Sequence, residues 1–128
     1  MKKKKGIEII DTYHWKWIVN HDCPEEKLNL LKEEIEKKFH GTIGKYLFFS
    51  ENRDELIELA NKLLTTHNLA RAKTPAGLGD GYVEYVLCVY DDGPKLVQEM
   101  KQYATKTIKY RYWKSDEATI KGVEQDEL

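Results

Sequence analysis

The run YVLCVY, residues 85 to 90, limits the fold more than any other segment. Its side chains are apolar at odd and even positions alike, so a strand built from it has no face to give to water. Such a strand belongs in the middle of a sheet. Around it lie segments that alternate instead. In TYHWKWIV (12 to 19), Tyr13, Trp15, Trp17 and Val19 fall on one strand face and His14 and Lys16 on the other. KYLFFS (45 to 50) reads as a short buried strand, LARAKT (69 to 74) as another, and TIKYRYWK (107 to 114) as the last. Between LARAKT and the central run, the pair Asp80-Gly81 predicts a tight hairpin turn.

Three segments carry helical spacing instead. PEEKLNLLKEEIEKKF (24 to 39) places Leu28, Leu31, Ile35 and Phe39 on one side, with Pro24 and two Glu in its first turn and lysines in its last. DELIELANKLL (54 to 64) does the same with Leu56, Leu59, Ala60 and Leu63, with Asn52 and Glu55 offering a capping box and Asn68 a stop. DDGPKLVQEMKQYA (91 to 104) turns Leu96, Val97, Met100 and Ala104 inward. The order is strand, helix, strand, helix, hairpin, helix, strand. It predicts an α+β fold, a mainly antiparallel sheet with about three helices packed on one face. At 128 residues, the chain is long enough for one domain with a real core. The basic residues 1–6 and the acidic residues 123–128 read as flexible tails.

Several function classes fall away. Net charge is −1, so no global basic field attracts nucleic acid indiscriminately. MKKKK resembles a signal-peptide n-region, but GIEII breaks off at Asp11 without a long enough apolar run, and no segment is long and apolar enough to span a membrane. With only Cys23 and Cys88, far apart, a reducing cytoplasmic setting is the simpler expectation. The four histidines lack metal-ligand spacing, GLGDG lacks the Lys-Ser/Thr ending of a phosphate loop, and no serine or cysteine sits in a nucleophile-elbow context. No metal and no cofactor are expected.

What remains is cation, ring and short polar group. From Lys101 to Lys114 there are five cations and no carboxylate, whereas residues 116 to 128 hold five carboxylates against Lys121. Strand alternation sets Arg71 and Lys73 on one face, and sets Lys109, Arg111 and Trp113 together opposite Ile108, Tyr110 and Tyr112. Fixed cations bind phosphate, rings stack on bases, and carboxyl or hydroxyl groups bind sugar and amide groups. The candidate ligand-binding set is therefore Lys45, Arg71, Lys73, Trp113, Lys114, Asp116, Thr119 and Trp15. For the tryptophans the competing reading is core or sheet rim, and for SDEAT it is a helix cap.

The segments GKYLFF (44 to 49), ARAK (70 to 73), YVLCVYDD (85 to 92) and the K-x-D-x-x-T-x-x-G pattern at Lys114, Asp116, Thr119 and Gly122 resemble the basophilic-leukaemia-expressed (Bles) protein family. The match runs over roughly residues 41 to 122, with Ser115 where the family's turn has Pro. That family is similar in fold to the cap-binding translation initiation factor of the 4E type. The resemblance implies a curved antiparallel sheet with helices on its convex side, and it points to Arg71 and Lys73 as cations for a ligand's phosphates. No Trp-Glu dipeptide matches the cap binder's base-reading pair.

The sequence thus favours a binding module for a phosphate-bearing ligand, a nucleotide or RNA end, on the sheet face away from the helices. A small lyase-like enzyme using His40, Lys45 or Lys114 as acid or base is the second reading, and a protein-interaction module built on TYHWKWIV the third. Oligomeric state is not legible in the sequence.

Overall fold

The computed structural model describes residues 5–25, 43–79 and 81–115. Within them the elements run β1 (Ile7–Asp11), β2 (Trp15–Asn20), β3 (Ile43–Ser50), α1 (Arg53–Thr66), β4 (Arg71–Pro75), β5 (Tyr85–Asp92), α2 (Val97–Lys101) and β6 (Lys109–Ser115). All six strands join one open antiparallel sheet in the order β1-β2-β4-β5-β3-β6. The doubly apolar β5 lies between β4 and β3, and β6 is an edge. The fold class is α+β. Two helices are found among the described residues; the helix expected over 24–39 lies, from residue 26 onward, outside them.

α1 packs on one face of the sheet. Its Leu56, Leu59, Ala60, Leu63 and Leu64 are buried against Ile18, Phe48, Ala72, Leu87 and Val89, which alternation puts on that side of their strands. Each fully buried leucine contributes about 1.5–3 kcal/mol of transfer free energy. The Asn52 side chain accepts from the Glu55 N–H at 3.2 Å and starts the helix. The reciprocal half of the expected box is absent: the Glu55 carboxylate accepts instead from the Ser50 and Thr107 hydroxyls, tying the helix start to the sheet. At the other end Asn68 takes a left-handed φ of 53°, and the helix stops there. On the same face, the Asn20 side chain donates to the Leu64 carbonyl at 3.0 Å.

Four departures from the expected elements have causes visible in the structure. The strand β1 was not expected; it pairs along β2 through the turn at residues 12–14, so Tyr13 projects from the turn instead of sharing the Trp15 face. The helix expected over 91–104 is confined to Val97–Lys101. Gly93 is left-handed at φ 97°, and the buried Tyr46 hydroxyl accepts the Leu96 N–H at 2.9 Å while donating to Asp91 at 2.7 Å, so the approach is fixed as a turn.

The hairpin connection closes as expected around Gly81, with the Tyr82 N–H donating to the Gly79 carbonyl at 3.2 Å and Gly81 left-handed at φ 84°, while Asp80 lies outside the described residues; the departure is that β4 and β5 stop short of it, at Pro75 and Tyr85. Lys73 opposite Cys88 is the register such a turn sets, but the β4–β5 pairs are confined to Ala72 with Val89 and Lys73 with Cys88, and β4 itself ends at Pro75, which has no N–H to extend it. Finally, β6 does not alternate as predicted. Trp113 opposes Tyr46 and Tyr110 opposes Phe48, so two residues, Arg111 and Tyr112, share the place across from Leu47. This bulge returns Trp113 to the helix-bearing face.

β3 and β6 approach closely at Gly44. A Cβ there would stand 2.5 Å from the Trp113 ring, 2.6 Å from the Lys114 carbonyl oxygen and 2.7 Å from the Ser115 Cα. Backbone cannot give way as a side chain can, so Gly44→Ala is expected to destabilise the fold by about 1–3 kcal/mol or more. Denaturant unfolding checks this, and a loss below about 0.5 kcal/mol would contradict the packing.

The Tyr46 hydroxyl yields a pH-dependent expectation. Burial and the hydrogen bond to Asp91 hold its ionisation well above the ordinary phenol value of 10.0. Its contribution is therefore complete below that pH and declines above it, where the unfolded chain ionises first. Tyr46→Phe should cost about 1–3 kcal/mol at neutral pH. The gap to the native protein should shrink when unfolding is measured at about pH 11, and a gap that stays constant would contradict the account.

Candidate phosphate-binding face

The face opposite α1 and α2 carries a different set of side chains. On β2 they are Trp15, Trp17 and Val19; on β4, Arg71 and Lys73; on β5, Cys88 and Tyr90; on β3, Lys45, Leu47 and Phe49; on β6, Lys109, Arg111, Tyr112 and Lys114. Cross-strand pairing brings them into rows. Lys114 is opposite Lys45, and Lys45 opposite Tyr90. One step along, Trp17 is opposite Lys73 and Lys73 opposite Cys88. Directly opposed side chains start about 4.5–5.5 Å apart at Cβ, so these rows are contacts rather than mere alignment.

Tyr90 is the centre of the arrangement. The Arg71 guanidinium lies 4.8 Å from its ring centre, the Lys45 ammonium 5.8 Å and the Lys73 ammonium 5.9 Å. Trp17 stacks on Tyr90 at 6.2 Å with 27° between planes, and Arg71 lies 5.0 Å from the Trp17 ring as well. Lys73 also stands 5.2 Å from Trp17 and 3.9 Å from Trp15. Three cations are thus gathered around one tyrosine, their stems resting on aromatic walls. The negative ring faces offset part of the mutual repulsion, by about 0.5–2 kcal/mol per contact.

Like charges also face one another across β3 and β6. Lys45 and Lys114 are like charges in directly opposed positions, which by itself destabilises a sheet. Among the described residues, carboxylates stand at the borders of this face: Glu8, opposite Val19 on β1, is engaged by His21 at 2.8 Å, and Asp92 at the end of β5 lies 3.9 Å from Lys95. Farther along β6, Lys109 pairs with Glu84 at 3.4 Å and Arg111 packs over Phe49 at 5.0 Å, so these two are turned away from the Tyr90 group.

Cys88 lies beneath the cations. Burial pushes its thiol up, and the Lys45 and Lys73 charges only partly offset that. A buried thiol kept protonated is no nucleophile, so this cysteine serves as a small core residue. Among the described residues no three His, Cys, Asp or Glu side chains gather as a metal site.

Of the residues that the sequence singles out, Lys45, Arg71, Lys73, Lys114 and Trp15 share this face. Trp113 does not. It is 4% exposed and packs against Tyr46 at 4.9 Å in the core beneath the helices, because the β6 bulge reverses the alternation. Asp116, Thr119 and His40 lie outside the described residues. Tyr90 was missed. The alternation of YVLCVY does set Cys88 and Tyr90 on one face, but only the pairing of β5 with both neighbours shows that cations converge on the second of them. No protein-family model, curated protein or solved structure matches this chain.

Proposed function

We propose that this protein is a binding module for a phosphate-bearing ligand, a nucleotide or an RNA end, held on the sheet face opposite α1 and α2. The observation that carries the reading is the gathering of Lys45, Arg71 and Lys73 within 5.9 Å of the Tyr90 ring centre, with Lys114 across from Lys45. Arg71 supplies a planar fork suited to two phosphate oxygens, and the lysines supply point charges around it. Holding these groups on rings before the ligand arrives lowers the entropy lost on binding. Because Lys73 rests on Trp15 and Arg71 on Trp17, the anion is the primary recognition element and base stacking the secondary one.

The finer fold reading belongs to the same proposal. The six-stranded antiparallel sheet, with α1 and α2 on one face and the cations on the other, supports reading the fold through the resemblance to the Bles family and to the 4E-type cap binder. In that comparison the cation-bearing strand is β4, with Arg71 and Lys73. We place the protein in the cytoplasm, where nucleotide and RNA ligands are abundant and two unbridged cysteines are stable.

The test is a titration of a nucleoside triphosphate and a short RNA across a salt series. Each charge-assisted contact is worth about 1.5–3 kcal/mol, so Arg71→Ala combined with Lys73→Ala should weaken binding by about 100-fold or more and flatten the salt dependence. Circular dichroism of the double variant confirms that it remains folded. Unchanged affinity in a folded double variant would overturn the site.

A further inference from the structure

One end of the sheet shows apolar groups to solvent without covering them. Tyr13, in the turn between β1 and β2, is 90% exposed; Tyr82 and Val83, in the loop between β4 and β5, are 73% and 68% exposed. The two segments are neighbours, since the Ala76 N–H donates to the His14 carbonyl at 3.0 Å and Trp15 pairs with Pro75. Gly81 holds a left-handed φ of 84°, and a Cβ at Gly77 would meet nothing within 4 Å, so the loop carries its rings on open backbone. The Tyr13 ring meets His14 edge to face at 4.7 Å and otherwise stands in water, so its flat face is open to a ligand.

This aromatic end continues from the cationic face. Lys73, in the group around Tyr90, rests on Trp15, and Trp15 is the first residue of the strand that follows the Tyr13 turn. A track of charge therefore runs Lys114, Lys45, Arg71, Lys73 and ends at rings projecting into water. An extended ligand with regularly spaced anions and flat apolar groups matches both halves; a single nucleotide fills only the first.

Resting on the phosphate-binding reading, we infer that the ligand is a single-stranded nucleic acid several nucleotides long, its phosphates along the cation track and its bases stacked on Tyr13 and Tyr82. Stacking on a ring accepts any base, so recognition on this end is tolerant of sequence.

The experiment compares UTP with fluorescein-labelled oligouridylates of about 2, 4, 8 and 12 nucleotides, using the full chain and fluorescence anisotropy. Affinity should rise with length until the track is filled. Tyr13→Ala with Tyr82→Ala should weaken the longer oligomers by about tenfold or more, while UTP binding stays within about twofold. Both side chains stand in solvent, so the double variant retains the core. Arg71→Ala with Lys73→Ala should weaken UTP and oligomers together. Affinity independent of length, or oligomer binding unmoved by the tyrosine changes, would overturn this inference and leave the phosphate reading standing if the Arg71 and Lys73 changes still abolish binding. Absence of binding by UTP and by every oligomer would overturn both.

Discussion

The pairing of β5 with β3 on one side and β4 on the other fixes two faces at once. Leu87 and Val89 go to the helices with Phe48, Tyr46 and Ala72, and the same register sends Cys88 and Tyr90 to the other side with Lys45 and Lys73. A slip of one residue would turn every side chain of a strand over, placing Lys45 in the core and Tyr46 outside. The hydrophobic core therefore specifies the cation arrangement indirectly. Leucines of α1 bury the even face of β3, and the lysine between them has one direction left.

That geometry sets competing electrostatic terms. Three cations about one ring, with a fourth across the next strand, repel one another, and half-buried positions screen the repulsion less than open water does. Contacts with Trp15, Trp17 and Tyr90 recover part of the cost and fix where the charges stand. On the proposed reading, a phosphate reaching this face meets charges whose positions the rings already hold. Tyr46 and Asp91 serve the opposite face, where a buried hydroxyl and carboxylate hold the turn before α2.

Much of the fold was legible in local pattern. The unbroken apolar run marked β5 as central, the leucine spacing marked α1 and its buried face, and alternation in LARAKT put Arg71 and Lys73 together. What failed were features that depend on neighbours. The bulge at Arg111 and Tyr112 answers to β3, not to any local signal in KYRYWK, and it moved Trp113 from the expected site into the core. The short α2 depends on a hydroxyl fifty positions away in the chain, that of Tyr46. Tyr90 was invisible as a site residue because a tyrosine inside an apolar run reads as core, which it also is.

The most direct measurement of the central claim is the position of a phosphate in a co-crystal with a nucleoside triphosphate. The account predicts phosphate oxygens within hydrogen-bonding reach, about 2.7–3.2 Å, of Arg71 and of at least one of Lys45, Lys73 and Lys114, beside the Tyr90 ring. A triphosphate seated on the helix-bearing face, or on the β6 side around Lys109 and Arg111 with the Tyr90 group untouched, would contradict it.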